Sequence, residues 1–118
     1  MNTIYTLSTC DTSKRIIKPI EIGDFKVKDI KKEAITENEL DSMKELAGSY
    51  EALFSRRSRS YSALGLKNKE LSEQDYRSYI LSDYTFLKRP VIIISNEIFI
   101  GNQKANIDSL YARLGINE

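Results

Sequence analysis

The stretch Thr3-Ile4-Tyr5-Thr6-Leu7-Ser8-Thr9-Cys10-Asp11-Thr12-Ser13-Lys14-Arg15-Ile16-Ile17 decides how the rest of the chain is read. Its first five residues are β-branched or aromatic with one leucine, which predicts a strand over 3–7. Ser8 to Thr12 are small polar residues with turn and N-cap preference. From about Ser13 the apolar positions Ile16, Ile17 and Ile20 fall at helical spacing, opposite Lys14, Arg15 and Lys18. Pro19 lacks a backbone donor and clashes with the preceding turn, so this helix should end or kink near Lys18, with Gly23 closing the segment. Cys10 is thereby placed between a strand end and a helix start.

Working outward, Phe25 and Val27 alternate with Lys26 and Lys28, which predicts a half-buried edge strand from Asp24 to about Ile30 whose lysines discourage edge-to-edge pairing. At the other end of the chain, Val91-Ile92-Ile93-Ile94 is a continuous β-branched run, expected as a central strand. A tight Ser95-Asn96-Glu97 turn would pair it with Ile98 to Ile100. Ile107, Leu110, Tyr111 and Leu114 then mark a helix stopped by Gly115. Between these halves the reading is helical. Thr36 and Glu39 form a capping box ahead of a stripe of Leu40, Met43, Leu46 and Ala47 that runs to Gly48. Ser49 to Gly65 reads as two short helices around a basic joint, Arg56-Arg57-Ser58-Arg59, and Ser72 with Asp75 opens a helix burying Tyr76, Tyr79 and Ile80. The order β-α-β, helices, β-β-α predicts a single α/β domain over 1–118. It would be a thioredoxin-like fold with a mixed four-stranded sheet, its core at about 1–31 and 86–118 and a helical insertion at about 36–85.

Composition narrows the function classes. The chain has 118 residues, and 18 Lys and Arg stand against 17 Asp and Glu, so the net charge of +1 gives no global field to attract nucleic acid or an anionic membrane. No apolar run approaches the roughly 20 residues that span a bilayer, and Met1-Asn2-Thr3 has no basic signal region, so a cytoplasmic protein is expected. One cysteine makes an internal disulfide impossible and suits a reducing compartment. The absence of histidine removes imidazole bases and His-ligated metals, and no metal site or bound cofactor is expected.

Chemistry can reside at Cys10. A lone cysteine is ordinarily a small buried hydrophobe. At a helix start, however, the N–H groups of Thr12, Ser13 and Lys14 and the positive end of the helix dipole favour a thiolate. The same groups make a cradle for an oxyanion or for the carboxylates of a thiol peptide. Ser13 completes a C-x-x-S spacing, and its hydroxyl either donates to the thiolate or caps the helix. The arginine joint is ordinarily a solvated helix end. Arg89-Pro90 is more specific, because a proline ahead of a buried strand can be cis, which would bring Arg89 towards Cys10.

These residues resemble the arsenate reductase/Spx family. The matching pieces are Ile4-Tyr5 with Thr9-Cys10-Asp11-Thr12-Ser13-Lys14-Arg15, Ala52-Leu53-Phe54-Ser55-Arg56-Arg57-Ser58, Leu87-Lys88-Arg89-Pro90-Val91, and Ile98-Phe99-Ile100-Gly101. The resemblance covers nearly the whole chain, and it implies Cys10 as nucleophile and Arg89 as the arginine before the family's cis-proline, here Pro90. Arg57 fits the Spx-like pattern for a middle arginine, whereas the arsenate reductase pattern places it at Ser55, with Arg56 the nearest substitute. The third arginine of glutaredoxin-linked arsenate reductases has no counterpart, since Gly101-Asn102 stands there. Ser13 in place of a second cysteine excludes the disulfide switch of Spx-type regulators.

The resemblance thus implies a thiol-dependent oxidoreductase acting on an oxyanion such as arsenate or on a glutathione-type disulfide. Cys10, Arg57 and Arg89 would be catalytic, and Thr12, Ser13, Lys14, Arg56 and Pro90 would bind substrate. An external thiol such as glutathione would resolve the adduct, with glutaredoxin a candidate partner. The alternative is a non-enzymatic, Spx-like module that docks a partner such as RNA polymerase and uses Cys10 at most as a redox sensor.

Overall fold

The opening run forms β1 (Asn2–Thr6), and the turn after it leads into α1 (Asp11–Ile17) with Cys10 as the N-cap residue. The structure, a computed structural model, describes residues 2–117. Its contacts divide the chain into two units, Met1–Glu33 with Arg89–Glu118, and Ala34–Lys88.

In the first unit, β2 (Phe25–Asp29), β3 (Val91–Ile94) and β4 (Glu97–Ile100) join β1 in a sheet of order β2-β1-β3-β4. β1 runs parallel to β2 and antiparallel to β3, and β3 is antiparallel to β4. This is the mixed four-stranded sheet the sequence predicts, with β3 central and β2 at an edge. One face carries Ile4, Ile92, Ile94 and Phe99 against Ile16 and Ile20 and against Leu110 and Tyr111 of α5 (Lys104–Leu114). Removing these side chains from water supplies the driving force, at roughly 25 cal/mol per Å² of apolar surface. The Tyr111 hydroxyl donates to the Ile16 carbonyl at 2.7 Å, tying α5 to α1. Gly115 ends α5 at φ +71°, a conformation that suits a residue without Cβ.

The second unit contains α2 (Glu37–Ala47), α3 (Arg59–Ala63) and α4 (Glu73–Ser82), with short 3-10 turns at Glu51–Leu53, Leu66–Asn68 and Tyr84–Phe86. Both predicted capping boxes are complete: Thr36 with Glu39 starts α2, and Ser72 with Asp75 starts α4. Gly48 closes α2 in the left-handed region. Phe54 is the hub of the interior, stacked on Phe86 at 5.1 Å and tilted against Tyr76 at 4.8 Å between ring centroids. On the surface Arg77 joins the two capped helices, reaching Asp41 at 2.9 Å and Glu37 at 3.1 Å, while the Tyr50 hydroxyl donates to Asp41 at 2.6 Å. These partners hold the Asp41 carboxyl down at about 2, the Arg77 hydrogen bond first among them.

Several local expectations are corrected. α1 begins at Asp11, two residues before the predicted start, because the chain turns directly at Cys10. Gly23 lies inside a 3-10 turn, Ile22–Asp24, that leads into β2. In β2 the alternation holds at half-buried Phe25 and exposed Lys26 but reverses after them: Val27 is 46% exposed, while Lys28 is buried. Val27 pairs with Ile4 and Lys28 with Tyr5, so at this edge the cover over Ile4 does not extend to Val27, and the lysine stem lies along the face that buries Tyr5. Leu46 is exposed and Tyr79 only half-buried, so each predicted apolar stripe is narrower than the spacing suggests. Glu97 belongs to β4, paired with Ile94, which leaves Ser95-Asn96 as the turn, with Ser95 at φ +55°.

Candidate active site

The first unit brings Cys10, Ser13 and Arg89 together. Cys10 is half-buried at the N-cap of α1 with extended backbone, φ −100° and ψ 109°, and its side chain caps none of the first helical amides. Burial pushes the thiol up, yet the Ser13 hydroxyl, the Ser13 backbone N–H and the Arg89 guanidinium outweigh it. The Cys10 thiol is therefore more acidic than an ordinary cysteine.

Ser13 is fully buried, and its hydroxyl makes no hydrogen bond of ordinary geometry to any other group. Beside Cys10 it helps to lower the pKa of the thiol. Of the two readings of the C-x-x-S spacing, capping is overturned: Ser13 sits inside α1, and Cys10 holds the cap position. The Lys14 part of the amide cradle is also corrected. Its N–H donates to the Cys10 carbonyl at 3.1 Å, and its side chain is exposed, so only amides earlier in the helix can face an anion. Thr12 is half-buried at the second helical position.

The Arg89-Pro90 peptide bond is cis, and Pro90 is buried beside the start of β3. The Pro90 carbonyl accepts the Gly101 N–H at 2.9 Å, and Asn106 caps the end of β4 by accepting from the Ile100 N–H at 3.1 Å and donating to the Gly101 carbonyl at 2.9 Å. Sequence reasoning did not anticipate Asn106. Nor did it anticipate Asp29, whose carboxyl is held below the usual carboxylate range first by the Ser8 hydroxyl, two residues before Cys10.

The two middle arginines lie in the second unit and differ sharply. Arg56 donates to Glu51 at 2.8 Å and to the Tyr76 hydroxyl at 3.0 Å, with its guanidinium about 6 Å from the rings of Phe54 and Tyr76. Arg57 is exposed, and its backbone N–H donates to the Ser55 hydroxyl at 3.3 Å. Among the described residues no group of three or more Cys, Asp or Glu converges where a metal ion could sit. No helix among them is long and apolar enough to cross a membrane.

The profile of the ArsC family matches residues 5–110. Among solved structures, the chain is similar to a possible arsenate reductase from Streptococcus mutans, at 27% identity and a TM-score of 0.70, covering 93% of this chain and 97% of that one. It is similar to an arsenate reductase (ArsC) related protein from Brucella melitensis, at 23% identity and a TM-score of 0.65, covering 93% of each chain. Arsenate reductase from Vibrio cholerae superposes with a TM-score of 0.75 at 16% identity, covering 92% of this chain and 94% of that one. At such identities the last two speak for the shared fold alone. A comparison with curated proteins finds no match.

Proposed function

The chain belongs to the ArsC family, and from that premise we propose that it is a thiol-dependent oxidoreductase whose nucleophile is Cys10. The observation that carries this reading is the acidified thiol, with Ser13 and Arg89 both disposed to stabilise its thiolate. In the favoured reaction Cys10 Sγ attacks one sulfur of a glutathione-type disulfide. The S–S bond breaks, a Cys10–glutathione disulfide forms, and the other glutathione leaves as a thiolate carrying the electron pair. An external thiol then attacks the mixed disulfide and returns Cys10 to its thiolate, since the chain holds no second cysteine.

Arsenate would reach the same mixed disulfide. Sγ would displace hydroxide from arsenic, and a glutathione thiolate would then attack Sγ, leaving the electron pair of the S–As bond on arsenic as As(III). Gly101-Asn102, which supplies no guanidinium beside the cis-proline, favours the disulfide over the oxyanion. Arg89 is assigned to the substrate's negative charge. Of the two middle arginines, Arg56 is already committed to Glu51 and Tyr76, which leaves Arg57 as the one the family resemblance would assign to an anion. Glutathione, alone or with glutaredoxin, is the reductant this scheme requires.

Two measurements test it. Mild treatment with oxidised glutathione should add one glutathione per chain by intact mass, released only by added thiol. The rate of alkylation by iodoacetamide should rise with pH about a midpoint below the roughly 8.5 of a free cysteine. A chain that takes no adduct and alkylates with an ordinary midpoint returns Cys10 to a packing role.

A further inference from the structure

The last two strands of the first unit meet a proline where their ladder should close. β3 and β4 pair antiparallel, with Ile94 opposite Glu97, Ile92 opposite Phe99 and Val91 opposite Ile100, so Pro90 falls opposite Gly101. A pair at that place in an antiparallel ladder exchanges two backbone hydrogen bonds. Pro90 has no N–H and can only accept. The Gly101 N–H donates to the Pro90 carbonyl at 2.9 Å, and the Gly101 carbonyl is left without its ladder donor. Ile100, one residue earlier, turns its N–H to the other side of β4, where the sheet order β2-β1-β3-β4 has no further strand.

One side chain supplies both missing partners. Asn106 Nδ2 donates to the Gly101 carbonyl at 2.9 Å, and Asn106 Oδ1 accepts the Ile100 N–H at 3.1 Å. An aspartate in its place would keep the acceptor and lose the donor. Asn106 stands at the third position of α5, where asparagine is a poorer helix former than alanine, so the helix itself gives no reason for it. Pro90 and Gly101 are both buried, which shields the bond between them from water.

Arg89 immediately precedes Pro90, and its guanidinium lies beside Cys10, where it helps to acidify the thiol together with the hydroxyl and N–H of Ser13 from α1. The backbone that carries this arginine therefore enters β3 through a residue whose single hydrogen-bonding group is held by Gly101, and Gly101 in turn is held by Asn106. We propose that Asn106 is a positioning residue that keeps the Gly101–Pro90 bond in place and thereby sets where the Arg89 side chain meets Cys10. This rests on the reading of Arg89 as the cation that serves the Cys10 thiolate.

The test reads the pH midpoint of Cys10 alkylation by iodoacetamide in wild type, Arg89→Ala, Asn106→Ala and the double variant. Removing the guanidinium should raise the midpoint, and Asn106→Ala should raise it part of the way, with a matching loss of rate at neutral pH. Asn106→Ala should add nothing in the Arg89→Ala background, since both act on sulfur through one group. Hydrogen exchange at the Gly101 amide should quicken in Asn106→Ala, which reports the opened bond independently of sulfur. Asn106→Asp keeps the acceptor for the Ile100 N–H and lacks the donor, so it reports through the same comparison even if Asn106→Ala fails to fold. A wild-type midpoint in folded Asn106→Ala beside a raised one in Arg89→Ala overturns the positioning role and leaves the assignment of Arg89 standing. A shift that persists undiminished in the Arg89→Ala background overturns it as well. A wild-type midpoint in Arg89→Ala removes both the assignment and the inference built on it.

Discussion

The principal helices of the two units begin in opposite ways. In the second unit, α2 and α4 each open on a complete capping box, Thr36 with Glu39 and Ser72 with Asp75, so side chains answer the first amides. In the first unit α1 opens on Cys10, whose side chain caps nothing. The two kinds of start serve different ends. Where a helix is scaffold, its orphan donors are satisfied internally, and where it carries the proposed nucleophile they remain available to a charge that forms at sulfur. The interiors differ as well: the first unit packs mostly aliphatic residues from a sheet against two helices, whereas the second is organised around aromatic rings.

The largest expected effect tests whether the second unit stands on that packing and not on its polar ends. Phe54→Ala removes a fully buried ring in contact with Phe86 and Tyr76 and should cost about 3–5 kcal/mol in denaturant unfolding. A loss within the range of a single cap would mean that the rings are incidental and that the capped helices carry the unit.

Next in size are the caps. Thr36→Ala and Ser72→Ala should each lower stability by about 1 kcal/mol, and their double variant by close to the sum, because each box is closed within its own helix. A coupling energy well outside about 0.5 kcal/mol would show that Arg77, which bonds Asp41 and Glu37 of α2 from its place in α4, transmits the loss of one cap to the other helix.

How much of this was legible in the sequence follows from the range of the interactions. β3 was readable as Val91–Ile94 because a strand covered on both faces needs apolar residues at every position. The capping boxes were readable because both partners lie three residues apart. β2 was readable as a strand, but alternation shows only which residues share a face, and the sheet edge decided that Val27 and not Lys28 would be exposed. The place of Cys10 was legible from the small polar residues after a strand, whereas the position of Ser13 inside α1 was not, since capping and donating to sulfur use the same spacing. Arg56 and Arg57 are adjacent in sequence, and only Glu51 and Tyr76 separate their roles. The hydrogen bond from the Ser60 hydroxyl to Asp83 spans 23 residues and leaves no local pattern at all.

The smallest expected effect bears most directly on the contrast between capped and uncapped starts, because it runs against the usual sign of a substitution at a functional residue. Cys10→Ser should end disulfide exchange, since a hydroxyl is not ionised at neutral pH. It should also stabilise the protein by about 0.5–1 kcal/mol, because serine is a strong N-cap and the backbone N–H of Ser13, the third helical residue, lies within reach. The gain should depend on pH in a stated direction. The folded protein lowers the pKa of Cys10 below its unfolded value, so between the two the unfolded chain binds more protons and wild-type stability rises with pH. Below the folded value the thiol is neutral in both states and contributes nothing, and the advantage of serine is greatest. Above it the thiolate accepts from Ser13 and Arg89, and the advantage should shrink towards pH 9. Unfolding curves of wild type and Cys10→Ser across pH 5–9 measure this difference, and one that stays flat would mean that the sulfur gains nothing from the amides left open to it.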